Sequence, residues 1–297
     1  MKKLHTVARN ILILKEIEKI LKLLRDRVLL IKGGFLLFSS YSIGRHDYYR
    51  RMDDIDFIAL DKDIVEIKNV LLVNGYKLCP DGEYVFYNKN NSFVIPIDIH
   101  TNLWYMGKNS LEAAVQRKIK ITDGKVSACS LPFEEHLFLI LVDGLIHYSK
   151  KKNTLREDIK YFIGIFGEKI NFDAFYKKLD RYHLRGIYEE LHRGILREHD
   201  IAKRLCRKNY LLLHVVSNVD HYTKGFILQL ILLPTLYAKI KYLYRKTFPG
   251  KNFLKRRYNV QNNANCYFYL VLRPIILFYL FLKNLLLSYL NDKSTRV

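Results

Sequence analysis

At 297 residues, 49% of them hydrophobic, the chain can bury a full core as one large domain or two ordinary ones, which excludes a peptide or a linker. Its four cysteines, Cys79, Cys129, Cys206 and Cys266, are widely spaced and form no CxxC pair; a disulfide-stapled module and a cysteine metal cluster are thereby excluded. The formal net charge of +21 is uneven: residues 201–297 carry 17 Lys and Arg against only Asp220 and Asp292, an asymmetry that points to an anionic partner such as a membrane surface, a nucleic acid or a phosphorylated polymer.

Met1-Lys2-Lys3 leads into a charged helical pattern rather than an apolar signal core, so the expected location is cytoplasmic. Residues 7–25 place Ile11, Leu14, Ile17, Leu21 and Leu24 at the spacing of an amphipathic helix. The apolar run 28–31 ends at Lys32-Gly33-Gly34, and residues 35–41 continue as a helix. A strand, a glycine turn and a helix in that order bring backbone N–H groups to a helix start, where a phosphate is favoured; a plain tight turn is the alternative.

Residues 54–60 read as a largely buried strand. Alternation puts Asp54 and Asp56 on one face, where two like charges repel, so a divalent cation with oxygen ligands is expected between them. Removing one of the charges is then expected to leave the fold intact and relieve the metal-free chain. The structural alternative is an acid pair bridged to neighbouring arginines. A helix over 61–73 stops at Asn74-Gly75. Residues 84–87 and 93–99 read as two strands about a turn at 88–91, with Pro96 marking an edge or a strand start. Asp98 and His100 share a face. If 93–99 pairs beside 54–60, all three acids share one face, with Ile97 and Ile99 on the other.

From Leu131 only helices are predicted, over 133–148, 154–166, 173–182 and 187–205. His136 and His147 lie eleven apart on one helical face and are expected to stabilise an interhelical contact with Asp158 rather than bind metal. Two apolar stretches follow, 226–244 and 267–290. Arg273, Pro274 and Lys283 interrupt the second, leaving less than the ~20 apolar residues a spanning helix needs. A helix in the membrane interface or packed on the protein fits better.

Lys32-Gly33-Gly34, Arg51-x-x-Asp54-Ile55-Asp56, Asn74-Gly75-Tyr76 and Ile97-Asp98-Ile99-His100 together resemble the bacterial uncharacterised nucleotidyltransferase family, within the superfamily that has the polymerase-beta-like fold. Leu131-Pro132 with Glu135-His136, then His147, Leu155-Arg156-Glu157-Asp158, Phe248-Pro249, Arg256-Arg257-Tyr258 and Leu272-Arg273-Pro274 extend the resemblance over nearly the whole chain. It implies an α+β fold, a mixed sheet with flanking helices followed by an all-helical C-terminal region. The expected division is a catalytic domain over 1–130, a helical domain over 131–206 and a basic, apolar helical tail over 207–297.

The activity implied is metal-dependent transfer of a nucleoside monophosphate from an NTP such as ATP to an acceptor hydroxyl, with release of pyrophosphate. Asp54 and Asp56 would bridge two Mg2+ (or Mn2+) ions and Asp98 would complete the catalytic metal's shell. Lys32, Gly33, Gly34 and Arg51 would bind the nucleotide, and His100 would touch a metal ligand or the substrate, or be a hydrogen-bonded structural histidine. The loop before Asp54 is longer than in compact superfamily members, which makes Arg45, Arg50 and Arg51 candidates for phosphate contacts. Two other readings stand beside this one. One is a catalytically silent membrane-associated or regulatory binding protein on the same fold. The other is an RNA-directed nucleotidyltransferase, although no RNA-binding motif is present. An anionic membrane surface is the expected partner of residues 207–297.

Overall fold

The computed structural model describes residues 2–45, 48, 50, 52–79, 84–88, 94–124, 126–147, 154–195, 204, 221–248, 254–255, 267–279 and 282–283. The chain forms two compact units, one of Met1–Ile140 with Asp158–Phe175 and the other of Leu141–Glu157 with Tyr176–Val297.

In the first unit the apolar stripe of α1 (Lys2–Leu24) is Ile13, Leu14, Ile17, Ile20, Leu21 and Leu24, all buried. The stripe is turned slightly from the expected one, since Ile11 is 40% exposed and Asn10 is buried in its place. Asn10 reaches a loop that the helical period alone does not reveal. After β1 (Val28–Leu30) comes α2 (Lys32–Ser42), then β2 (Ile55–Ala59), α3 (Ile64–Val73), β3 (Tyr76–Leu78), β4 (Val85–Asn88) and β5 (Ile97–His100).

The five strands make one mixed sheet in the order β1-β2-β5-β4-β3. β2 and β5 pair parallel, with Ile55 opposite Ile97, Asp56 opposite Asp98 and Phe57 opposite Ile99; the other pairings are antiparallel. Every residue of β2 is buried, as expected of a central strand covered on both faces. β5 is also internal, so Pro96 marks a strand start rather than an edge: its carbonyl accepts the Ile55 N–H at 2.9 Å. The short β3 went unread in the sequence. It is held to α1 by the Tyr76 hydroxyl, which donates to buried Glu16.

Between the sheet and α5 (Phe133–His147) lie three further elements that sequence reading did not find, α4 (Lys108–Gln116) and the hairpin β6 (Ile119–Asp123) with β7 (Val126–Ser130). Gly124 turns the hairpin at φ 53. Asp123-Gly124 between alternating residues was the available signal. Cys79 and Cys129 are free thiols; Cys206 and Cys266 lie outside the described residues.

α6 (Thr154–Phe166) and α7 (Phe172–Arg181) follow α5 much as the apolar spacing predicts. α8 (Arg185–Arg193) ends well before residue 205, because Gly194 adopts φ 79 and caps it in the left-handed conformation. In the second unit the apolar stretch 226–244 falls on two helices, α9 (His221–Leu232) and α10 (Leu236–Thr247). Pro234 sits at the break, where its ring clashes with a continuing helix. The Thr235 side chain then caps α10 by accepting the Ala238 N–H at 3.1 Å. Residues 267–279 are helical. No helix among the described residues is long and apolar enough to cross a membrane.

Candidate active site

The parallel register of β2 and β5 builds the site. Apolar alternation buries Ile97 and Ile99 and turns Asp98 and His100 to the other face, beside Asp56. One carboxylate oxygen each of Asp56 and Asp98 and one ring nitrogen of His100 lie within 4.8 Å of one another, a group able to hold a metal ion. His100 Nε2 is 2.8 Å from Asp56 Oδ1 and 3.6 Å from Asp98 Oδ2.

Lys32 enters the same cluster, its Nζ donating to Asp56 Oδ1 at 3.0 Å. It is the first residue of α2 and takes a left-handed φ of 53. For a residue with a side chain this conformation is strained by about 1–3 kcal/mol, and the surrounding structure must hold it. The expected glycine turn is therefore corrected: Lys32 makes the turn, and Gly33 and Gly34 sit in the first turn of α2. Gly34 sits in close packing, since a Cβ there would lie 2.9 Å from Cδ1 of buried Leu30, whose side chain would have to shift; at Gly33 the nearest atom, of Met52, would be 3.6 Å away. Helical geometry leaves the N–H groups of this first turn without intrahelical acceptors.

The electrostatics differ from a pair of repelling acids. Burial by itself would raise the pKa of Asp56, but the Lys32 ammonium and the His100 hydrogen bond outweigh it and hold the carboxyl well below its usual range. Asp98 goes the other way: burial raises its pKa, and the charge of Asp56 adds to that against His100 and Lys32. Burial and Lys32 depress His100, yet its bond to Asp56 and the charges of Asp98 and Asp56 leave its pKa raised. Two carboxylates are thus balanced by two basic groups.

Asp54 lies one residue before β2 and is exposed; the structure does not bring it into the Asp56, Asp98 and His100 group. Arg51 lies outside the described residues. The Arg50 guanidinium pairs with Asp158, which is buried and also accepts the Tyr48 hydroxyl at 3.3 Å. Asn10 Nδ2 donates to the carbonyls of Tyr48 and Arg50 at 3.0 and 3.2 Å, and Arg9 Nε donates to that of Met52 at 2.7 Å. On the other side Ser40 gives its proton to the Arg45 carbonyl at 2.6 Å and so accepts from the Tyr161 hydroxyl, also at 2.6 Å. The long loop between α2 and β2 is thereby fastened by α1, α2 and α6, none of which spacing alone implicated.

His136 does not meet Asp158. The Ser130 hydroxyl donates to the Leu30 carbonyl at 2.7 Å and so accepts the His136 Nδ1–H at 2.9 Å, while the ring lies 4.5 Å from that of Phe35. Burial pushes the pKa of His136 down to about 3, so it is a neutral core histidine. The His147 side chain lies outside the described residues.

A model for a family described as an uncharacterised nucleotidyltransferase matches residues 2–193. No curated protein and no solved structure matches the chain.

Proposed function

The chain belongs to the uncharacterised nucleotidyltransferase family, and on that premise we propose that it moves a nucleoside monophosphate from an NTP to an acceptor hydroxyl and releases pyrophosphate. The observation that carries this reading is the placement of Asp56 opposite Asp98 on adjacent parallel strands, with Lys32 and His100 against them.

The donor set fits a divalent metal. Two carboxylates supply hard oxygen atoms and His100 an imidazole nitrogen, all within reach of one ion, a combination that suits Mg2+ or Mn2+. Asp56, Asp98 and His100 would hold it, with Asp54 adding a carboxylate from the exposed strand start. Bound there, such an ion supplies Lewis-acid stabilisation of the triphosphate and of the attacking oxygen.

The chain's own groups account for the rest. Lys32 transfers its ammonium from Asp56 to the phosphate charge, and the N–H groups of Gly33 and Gly34 face that charge from a helix start. Asp98, the more weakly acidic carboxyl, orients the acceptor hydroxyl and takes its proton. The acceptor oxygen bonds to the α-phosphorus as the bond to the pyrophosphate oxygen breaks, in line with the attack. The tail adds a partner to this reading: residues 207–297, with 15 Lys and Arg against two Asp, hold the enzyme at an anionic membrane surface.

Labelled NTPs, each with Mg2+ or Mn2+, are incubated with the full chain and a cell extract. Label moves to an acceptor with release of pyrophosphate, and Asp98→Ala stops both. If no NTP gives either product, transfer is the wrong reading and a silent binding protein is the right one.

A further inference from the structure

α10 has two unlike faces, and both are accounted for. On its inner face Tyr242 is buried, its ring 5.5 Å from that of Phe226 on α9 and its hydroxyl donating to Gln229. The opposite face carries Leu236, Tyr237, Ile240, Leu243 and Tyr244. Leu236 and Tyr237 are each 73% exposed, Ile240 56% and Tyr244 63%. At 100° per residue these five fall within an arc of about 120°. Lys239 and Lys241 flank the arc on either side, and the Lys241 ammonium sits 5.7 Å from the centre of the Tyr237 ring.

The helix over 267–279 carries a second exposed apolar face, without lysines at its rims. Tyr267, Phe268, Val271, Ile275, Phe278 and Tyr279 are all more than half exposed and occupy another arc of about 120°. Arg273, on the far side of that helix, donates to the Lys246 carbonyl at 3.2 Å, so the two helices meet away from their apolar arcs. Exposed apolar stripes of this extent mark an interaction surface.

We propose that the outward arcs of α10 and of residues 267–279 lie in the interface of an anionic lipid bilayer, with the Lys239 and Lys241 ammonium groups at headgroup level. This rests on the reading of the tail as a segment held at an anionic membrane surface, and it names what enters that surface. Charge complementarity selects the occupant: the α10 face, with Ile240 at its centre and Lys239 and Lys241 at its rims, in a segment with only two acidic residues, matches acyl chains below anionic headgroups. A nucleic acid would satisfy the basic residues but leave Leu236, Ile240 and Ile275 in water.

The test uses the full chain with vesicles of phosphatidylcholine, with and without about 30% phosphatidylserine, the range in which basic segments respond to surface charge. The wild type cosediments with the anionic vesicles, and part of that binding persists at ~0.5 M NaCl, where the Debye length is only a few Å. The charge-neutral triple variant Ile240→Ser, Tyr244→Ser, Ile275→Ser loses the salt-resistant part, roughly tenfold or more in affinity. Ile240→Trp shows a blue-shifted emission on vesicles that the wild type, with Trp104 alone, does not. All the altered side chains are exposed, so melting is unchanged. Equal binding of the triple variant would overturn insertion while leaving electrostatic attraction standing; no vesicle binding at all would overturn both readings, and salt-sensitive retention by RNA in its place would assign the tail to nucleic acid.

Discussion

Asp56→Asn removes the charge on which the metal-free site is balanced. The Asp56 carboxylate is 10% exposed and the Lys32 side chain 20%, and Asp56 Oδ1 receives both Lys32 Nζ and His100 Nε2. Breaking a buried pair by deleting one partner costs ~3–5 kcal/mol. Lys32 keeps some hydration and the amide keeps one acceptor, so about 2–3 kcal/mol is expected here. For a unit of this size that lowers Tm by roughly 5–10 °C. The assay is thermal unfolding in EDTA, with Lys32→Met, Asp56→Asn and the double variant forming a cycle. The double variant recovers about 1–2 kcal/mol, because the buried ammonium is gone as well. Added Mn2+ raises the Tm of the wild type and not of Asp56→Asn. If Asp56→Asn melts at or above the wild-type temperature in EDTA, Asp56 sits among like charges and the geometry described here is wrong.

Asp54→Asn, at an exposed position, should change stability by less than about 0.5 kcal/mol yet abolish pyrophosphate release, and a variant with wild-type turnover would remove Asp54 from the site. Asp98→Ala should lose turnover severely while nucleotide affinity, measured by equilibrium dialysis, falls less. His136 is held neutral in the fold, so the unfolded chain binds the extra proton. Stability is therefore full above pH ~6.5 and falls as pH drops towards 3, with a limiting slope of ~1.4 kcal/mol per pH unit for one group. Urea midpoints between pH 7 and 4 should fall less steeply in His136→Asn, and parallel slopes would sink this assignment. Gly34→Ala, whose Cβ would crowd buried Leu30, should destabilise by about 1–3 kcal/mol, whereas Gly33→Ala should melt close to wild type.

The site's scaffold was legible because it rests on local patterns. The alternation of Ile55, Phe57, Ile97 and Ile99 sets the faces of β2 and β5, and Asp56, Asp98 and His100 follow from it. Partners distant in sequence were not legible. Nothing near Arg50 announces Asp158, and two adjacent acids read as a repelling pair until Lys32 is placed by its left-handed backbone. Gly33 and Gly34 suggested the turn that Lys32 makes, because both a turn and a close helix approach call for glycine. The β6–β7 hairpin was missed through short strands of mixed polarity.

The pairing of β2 with β5 has a consequence for how this protein can vary. Strand faces repeat every two residues, so a slip of one residue between the strands would bury Asp98 and His100 and expose Ile97 and Ile99. Pro96, whose carbonyl takes the Ile55 N–H, stands where β5 begins. Between Pro96 and His100 no single-residue change in length is harmless. The reactive groups are thus indexed to one proline carbonyl.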